Sequence, residues 1–134
     1  MKRLFFLLNF VLLCGAVMAQ GNLIKSVYFG GGSHYIDAQQ MQEIQEFIQS
    51  IPNIQHYQIT VSSHTDNIGG KEYNQWLSGM RSQSVLHRLL SLQLDESRIN
   101  IVDNGQINPL YDNRSNMGRQ GNRRVDIILE PILL

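Results

Sequence analysis

One short segment, HYQITVSS at residues 56–63, constrains the fold more than any other part of the sequence. Its apolar residues Tyr57, Ile59 and Val61 alternate with polar residues, which is the pattern of a β-strand with one buried face and one polar face. A sheet built from such strands is covered by helices on one side only. The segment therefore predicts a sheet with one open face.

Alternating strand and helix patterns surround this segment and predict the order βαβαββ. Strands are expected at residues 23–29, 56–63, 98–102 and 124–130, and helices at 37–51 and 72–92. In the first helix, Asp37 is placed to cap the start with Gln40 reaching back to it, and Pro52 ends the helix. A further short helix is expected near residues 115–120. We predict an α/β fold of the α+β sandwich type, with a mixed sheet and helices packed on one face.

The first 19 residues have the pattern of a secretory signal peptide. Lys2 and Arg3 precede an apolar run at residues 4–13, and small residues follow up to Ala19. The apolar run is shorter than the ~20 residues that span a bilayer. We expect cleavage after Ala19, which leaves one domain at residues 20–134.

Composition limits the chemistry of that domain. Cys14 is the only cysteine and falls inside the predicted signal peptide. The residue before Cys14 is the bulky Leu13, whereas an acylation site has a small residue at that position. Acylation of Cys14 and a membrane anchor are the alternatives to cleavage. Removing Lys2 and Arg3 takes the basic count from 11 to 9 against 11 acidic residues, a formal net charge of −2. This balance argues against a nucleic-acid binder, because such domains are strongly basic.

A polar stretch, SSHTDNIGGKEYNQWLSGMR at residues 62–81, leads from the second strand into the second helix. Within the helix, Asn74, Ser78 and Arg81 are spaced i, i+4, i+7 and share one face. Asp66 and Arg81 could form a partly exposed ion pair, which would contribute ~0 to 1 kcal/mol. Alternatively, Asp66 accepts from an ammonium group while Arg81 binds a carboxylate through two hydrogen bonds. An amino-acid head group would fit the second arrangement.

Two motifs carry a resemblance to a known family. The segment HTDNIGGKEYNQWLSGMRSQSV meets the pattern TD-x-x-G followed by N-x-x-L-S-x-x-R. The segment INPLYDNRSNMGRQGNRRVDI meets the pattern N-x-[ST]-x-x-G-R-x-x-N-R-R-V. The chain thus resembles the C-terminal domain of outer-membrane protein A, which peptidoglycan-associated lipoproteins and the flagellar stator protein MotB share. The similarity covers nearly all of the chain after the predicted signal.

The resemblance implies a module that binds peptidoglycan without catalysis, cofactor or metal. In the family, the aspartate and the helix arginine hold the zwitterionic end of diaminopimelate in the stem peptide, which matches Asp66 and Arg81. The asparagine of N-x-x-L-S and the first arginine of the N-R-R triplet also line the site, which matches Asn74 and Arg123. Thr65 would form the adjacent wall. We expect alanine at Asp66 or Arg81 to remove binding and leave the fold intact.

The resemblance also implies a location in the periplasm, at the cell wall and outer membrane of a Gram-negative-type bacterium. The expected partners are peptidoglycan and envelope proteins of the outer membrane or periplasm, but not nucleic acid, and homodimer formation is left open. A second hypothesis is a protein-interaction module that keeps the fold without wall binding. The chain departs from the family at Gly30–Gly32, where polar residues are common.

Two other chemistries, metal binding and hydrolysis, lack the sequence patterns that they require. The four histidines show no H-E-x-x-H or similar ligand spacing, and no G-x-S-x-G turn is present to activate a serine. We therefore predict neither a metal site nor a hydrolase. Tyr73 and Trp76 could stack on a sugar, but such residues are more often core or rim, so they are not counted among the site residues.

Overall fold

The computed structural model describes residues 21–133, which form seven main elements in the order βαβαβαβ. They are β1 (Leu23–Tyr28), α1 (Ala38–Gln49), β2 (Tyr57–Ser63), α2 (Lys71–Ser91), β3 (Ile99–Asp103), α3 (Asn116–Asn122) and β4 (Arg124–Pro131). The strands and the two long helices confirm the predicted order, and α3 is the short helix expected near residues 115–120. The predicted signal peptide at residues 1–19 lies outside the described residues.

The sheet is mixed, with the strand order β1-β4-β2-β3. Strand β4 runs antiparallel to both β1 and β2, whereas β2 and β3 are parallel and are joined through α2. Tyr28 pairs with Arg124, and Ser63 pairs with Asp103 and Val125. The carboxyl ends of β1, β2 and β3 therefore lie at the same edge of the sheet as the start of β4. Four connections meet at this edge.

Helices α1 and α2 cover one face of the sheet, as the alternation in β2 predicts. Tyr57, Ile59 and Val61 are at most 3% exposed, whereas the polar residues between them are partly exposed. Helix α1 contacts β1 and α2, and α2 contacts the other three strands. The shared core consists of buried apolar side chains from both layers, among them Val27, Ile44, Ile48, Val85, Leu89, Val125, Ile127 and Leu129. Burial of each such side chain contributes roughly 1.5–3 kcal/mol.

Local sequence signals set the ends of α1. Asp37 Oδ1 accepts a hydrogen bond from the Gln40 backbone N–H at 2.7 Å, and Gln40 Oε1 accepts from the Asp37 N–H at 3.1 Å. This reciprocal pair confirms the predicted capping box. The helix ends at Gln49, two residues before the predicted end at Ile51. Pro52 accounts for the early end, because proline disfavours helical conformation in the residue before it.

Among residues 21–133, no helix combines the length and apolar character that a membrane crossing requires. In the same part of the chain, no three His, Cys, Asp or Glu side chains come together in a way that could hold a metal ion.

Candidate ligand-binding site

A small cavity of about 260 Å³ lies at the sheet edge where the four connections meet. Three of the five predicted site residues, Asp66, Arg81 and Arg123, line it. The remaining lining comes from two glycine-containing turns and from α2, namely Gly31, Gly32, Ile68, Gly69, Tyr73 and Leu77. One carboxylate and two guanidinium groups therefore share one cavity.

Asp66 follows β2 and is almost fully buried, at 6% exposure. Its Oδ1 accepts a hydrogen bond from the backbone N–H of Ile68 at 3.0 Å, which fixes the turn into α2. Its Oδ2 accepts from Arg123 Nη1 at 3.2 Å. The ion pair of Asp66 is thus made with Arg123 and not with Arg81, the partner considered from the sequence.

Arg81 lies deeper than the sequence suggested and has 0% exposure. Its Nε, Nη1 and Nη2 donate to the carbonyl oxygens of Ser33, His64 and Gly30, at 2.8, 3.0 and 3.1 Å respectively. The guanidinium carbon also lies 5.1 Å from the centre of the Phe29 ring. Arg81 therefore ties the connection after β1 to the end of β2.

These contacts do not support the expectation that Arg81→Ala leaves the fold intact. Alanine would remove a donor from three carbonyl oxygens, of which, among the described residues, only the Gly30 oxygen keeps another bond, from the Ser33 N–H at 3.1 Å. An unpaired buried polar group costs ~1–3 kcal/mol. Burial lowers the pKa of Arg81 to about 10, with Asp66 acting to raise the pKa and Arg123 to lower it. The side chain is still charged at neutral pH.

Arg123 lies at the junction of α3 and β4 and is more accessible than Arg81, with 18% of its side chain exposed. Its Nε donates to the Phe29 carbonyl oxygen at 3.0 Å, and its Nη1 donates to Asp66. Within residues 21–133, no acceptor takes a hydrogen bond from its Nη2. Arg123 also lines a second, more open cavity of about 460 Å³ beside Tyr28 and Met117. It therefore offers unused donors at the rim of the site.

Thr65 and Asn74 lie behind the cavity and do not line it. Thr65 is 2% exposed, and its Oγ1 donates to the carbonyl oxygen of Asp66 at 2.8 Å. Asn74 is fully buried, and its Nδ2 donates to Gln106 Oε1 at 2.8 Å. The Oδ1 of Asn74 has no hydrogen-bond partner within the described part of the chain. The structure gives both residues a supporting position; their predicted contact with a ligand stays a prediction.

Tyr73 is the lining residue that the sequence reasoning set aside. Its ring lies between two glycines with positive φ, Gly32 at 66° and Gly69 at 100°. A Cβ added at Gly69 would stand 2.8 Å from Tyr73 Cδ1, and one at Gly32 would stand 3.3 Å from Tyr73 Oη. Both positions therefore need glycine if Tyr73 is to lie against them. A tyrosine in the first turn of α2, three residues after the glycine pair Gly69–Gly70, is the sequence signal for this arrangement.

The start of α2 adds further donors near the site. Gly70 is the N-cap residue and has no side chain to accept from the first-turn amides. Such amides favour negatively charged groups, because the helix dipole places partial positive charge there. Together with two guanidinium groups and one carboxylate, the edge is suited to an anion or to a zwitterion.

The fold and this cavity define a class: small α+β domains with a charged ligand pocket at one edge of a mixed sheet. The model of the OmpA family matches residues 28–123, and the chain belongs to that family. The resemblance drawn from the two sequence motifs is thereby confirmed.

Three similar proteins illustrate the relationship. The chain is 38% identical over 74 residues to the probable lipoprotein YiaD of Escherichia coli strain K12, a match that covers 55% of this chain and 34% of that protein. It is 34% identical over 71 residues to the peptidoglycan-binding protein ArfA of Mycobacterium bovis, covering 53% and 22% of the two chains. The crystal structure of the peptidoglycan-associated lipoprotein from Burkholderia pseudomallei matches with a TM-score of 0.72 and 26% identity, over 78% of this chain and 89% of that one.

The curated relatives are longer than this chain. The matched segments span 34% of the Escherichia coli protein and 22% of the Mycobacterium bovis protein. The similarity to these proteins therefore concerns one domain of each.

Proposed function

We propose that this protein binds peptidoglycan non-covalently and that its cavity receives the zwitterionic end of diaminopimelate in a stem peptide. The observation that carries the proposal is the meeting of Asp66, Arg81 and Arg123 in one cavity of about 260 Å³. A ligand that carries both an ammonium and a carboxylate group complements these charges. The names of two relatives, a peptidoglycan-binding protein and a peptidoglycan-associated lipoprotein, support the ligand class.

Each charged group has its own task in the proposed complex. Asp66 holds the ammonium group of the ligand, and this contact replaces part of its bond to Arg123. Arg123 is the first guanidinium that the ligand carboxylate meets, because its Nη2 is unused and its side chain is partly exposed. Arg81 has five N–H donors, of which three bind carbonyl oxygens. Because Arg81 has 0% exposure, it contributes to the complex chiefly through its positive charge.

A single site of this kind binds weakly. One hydrogen bond to a charged group contributes ~1.5–3 kcal/mol, and part of that is offset by the loss of the Asp66–Arg123 contact. The wall polymer repeats the same stem peptide, so a released module meets another site at high effective concentration. Weak binding to each stem peptide is therefore compatible with stable retention on the wall.

The proposed location is the periplasm, beside the cell wall and the outer membrane. The proposed activity is binding without catalysis, with peptidoglycan as the principal partner. Envelope proteins of the outer membrane or periplasm are the second group of partners.

One observation favours the alternative function, a protein-interaction module. The connection from β3 through α3 exposes several large apolar side chains, among them Ile107 at 50%, Leu110 at 63% and Met117 at 82%. Exposed apolar groups in one region mark sites of protein interaction. This surface lies outside the cavity, so the two functions are compatible.

Co-sedimentation with purified sacculi tests the proposed function. We expect the protein to sediment with sacculi that contain diaminopimelate stems and to do so weakly with sacculi that contain lysine stems, because lysine lacks the second carboxylate. Asp66→Asn removes the charge that holds the ammonium group with little change of shape. We expect it to weaken binding at least ~tenfold, the equivalent of one charge-assisted hydrogen bond.

Asp112→Asn is the matched control. Asp112 is a half-exposed aspartate that pairs with Arg114 away from the cavity, at 2.8 Å. This variant should sediment like the wild type. A folded wild-type protein that fails to sediment with either kind of sacculus would contradict wall binding and direct the search to a protein partner.

A further inference from the structure

Three aromatic rings form a continuous surface beside the cavity, here called the aromatic surface: the exposed Tyr73 and Trp76 and the half-buried His34. Tyr73 and Trp76 are spaced i, i+3 on α2, and their ring centres are 5.7 Å apart with a tilt of 35°. The His34 ring meets Trp76 edge-on, with the centres 6.3 Å apart. Tyr73 is 44% exposed and Trp76 is 54% exposed.

The aromatic surface begins at the rim of the cavity. Tyr73 lines the cavity together with Asp66 and Arg81. At the other end, His34 lines a largely apolar groove of about 510 Å³ between α1 and α2, beside Tyr35 and Met41. A polymer that places one group in the cavity and leaves across Tyr73 would therefore lie along the rings.

Packing does not explain why Trp76 stands where it does. The hydrophobic core contains neither Trp76 nor Tyr73, and more than half of the indole surface is open to solvent. The neighbouring residues Lys71, Glu72 and Gln75 are exposed and polar. On α2 the aromatic rings thus stand among polar side chains, and at His34 they lead into the apolar groove.

We propose that the aromatic surface binds the glycan strand of the same polymer whose stem peptide enters the cavity. Sugar rings present apolar C–H faces and polar edges, and the rings of Trp and Tyr combine an apolar face with a polar tip. Stem peptides are attached to the glycan, so a peptide held in the cavity brings sugar units to its rim. The inference rests on the proposed function for its ligand and adds a second subsite to it.

Trp76 provides a direct probe, because it is the single tryptophan of the chain. Its fluorescence is measured while glycan strands are added from which an amidase has removed all stem peptides. We expect a saturable change in the emission of the wild-type protein. Absence of a change, at glycan concentrations where intact sacculi bind, would overturn the inference and would leave a protein partner as the explanation of this surface.

A second experiment separates the subsite from the cavity. Affinities are compared for a disaccharide-tripeptide and for the same tripeptide without sugar. We expect the sugar to strengthen wild-type binding about threefold to tenfold, in line with one aromatic contact. Trp76→Gln should lose this gain while keeping the affinity for the free tripeptide, and Trp76→Phe should retain most of it. An equal gain in Trp76→Gln and in the wild type would also overturn the inference.

Ile24→Gln is the matched control, because Ile24 is an apolar side chain with 58% exposure on β1, outside the aromatic surface. It should behave as the wild type in both experiments. The two proposals fail in different ways. A fluorescence response to peptide-free glycan without binding of either tripeptide would refute the role of the cavity alone, whereas tripeptide binding with no effect of sugar would refute the subsite alone.

Discussion

Arg123 and Arg124 are neighbours in the chain but belong to two different charged clusters. Arg123 pairs with Asp66 at 3.2 Å beside the cavity, whereas Arg124 pairs with Asp126 at 3.0 Å on the open face of the sheet. Successive residues entering a strand point to opposite sides, which accounts for the separation. Both aspartates are largely buried, so charge and burial alone do not distinguish the clusters.

The two ion pairs differ in where they lie and not in how completely their groups are hydrogen-bonded. On the open face, Asp126 Oδ1 accepts from Ser26 Oγ at 2.7 Å while its Oδ2 accepts from Arg124 Nε. Arg124 also donates to the Gly121 carbonyl oxygen. Within residues 21–133, neither Arg123 nor Arg124 has an acceptor for its Nη2, but Arg123 also lines the cavity together with Arg81. A buried ion pair is therefore weak support for a binding site, and an ion pair that lines a cavity beside a second guanidinium group is stronger support.

The largest effect that we predict is a loss of stability when Arg81 is replaced, which distinguishes its role from that of Arg123. Arg81→Ala should lower the free energy of unfolding by ~3 kcal/mol or more, because three carbonyl oxygens lose a buried donor. Urea denaturation measures the loss. Arg81→Lys, which keeps a charge and part of the hydrogen bonding, should lose less. An alanine variant as stable as the wild type would contradict the structural role of Arg81.

The second prediction concerns Arg123 and wall binding. Arg123→Gln should weaken sedimentation with diaminopimelate sacculi about tenfold or more, because the ligand carboxylate loses its most accessible guanidinium. Its stability should fall by less than that of Arg81→Ala, since it makes fewer bonds to carbonyl oxygens. Arg124→Gln provides the comparison and should keep full wall binding. Equal binding by Arg123→Gln and Arg124→Gln would remove the distinction between the clusters.

The third prediction concerns Asp126, where we expect a loss of stability without a loss of wall binding. Asp126→Asn should lower the free energy of unfolding by ~1.5–3 kcal/mol, the contribution of one hydrogen bond to a charged group. Wall binding should be unchanged, because the open face lies across the sheet from the cavity. Denaturation and sedimentation of the same preparation test both statements. Loss of wall binding by a stable Asp126→Asn protein would show that the open face takes part in recognition.

Much of the fold could be predicted because its signals are local. The alternation of Tyr57, Ile59 and Val61 fixes a one-sided strand, and Asp37 with Gln40 fixes the start of a helix through contacts three residues apart. The strand order β1-β4-β2-β3 has no such local signal. Pairing of β4 between β1 and β2 joins residues 62 to 106 positions apart, and loop length constrains such pairings only weakly.

The candidate site could likewise be predicted only where its signals are local in the sequence. The motifs identify Asp66, Arg81 and Arg123 by residue type and spacing, and these three residues do meet in one cavity. The sequence does not reveal which arginine pairs with Asp66, because the answer depends on where the α3–β4 junction docks. The sequence also does not predict that Arg81 is buried against three carbonyl oxygens. Two of these oxygens belong to the connection after β1 and one to the end of β2, so their meeting depends on the tertiary fold.

The smallest effect that we predict is a pH dependence that arises on the open face. His64 follows β2, and its Nε2 lies 3.2 Å from Ser62 Oγ and 3.9 Å from Asp126 Oδ2. Burial lowers the pKa of His64 below 6.5, and the charge of Arg124 lowers it further, while Asp126 acts in the opposite direction. As the pH falls through 6.5, the unfolded chain takes up a proton at His64 before the folded protein does. Stability from this residue is therefore complete above pH 6.5 and declines on acidification below it.

The measurement is the free energy of unfolding in urea at pH 7.5, 6.5 and 5.5 for the wild type and for His64→Gln. Glutamine cannot take up a proton, so the wild type should lose more stability than the variant between pH 6.5 and 5.5. An NMR titration of the His64 ring in the folded protein supplies an independent check of the pKa. A wild type that gains stability relative to the variant on acidification would mean that Asp126 outweighs burial and Arg124. In that case Arg124 would not fully balance the negative charge of Asp126, although the two groups are 3.0 Å apart.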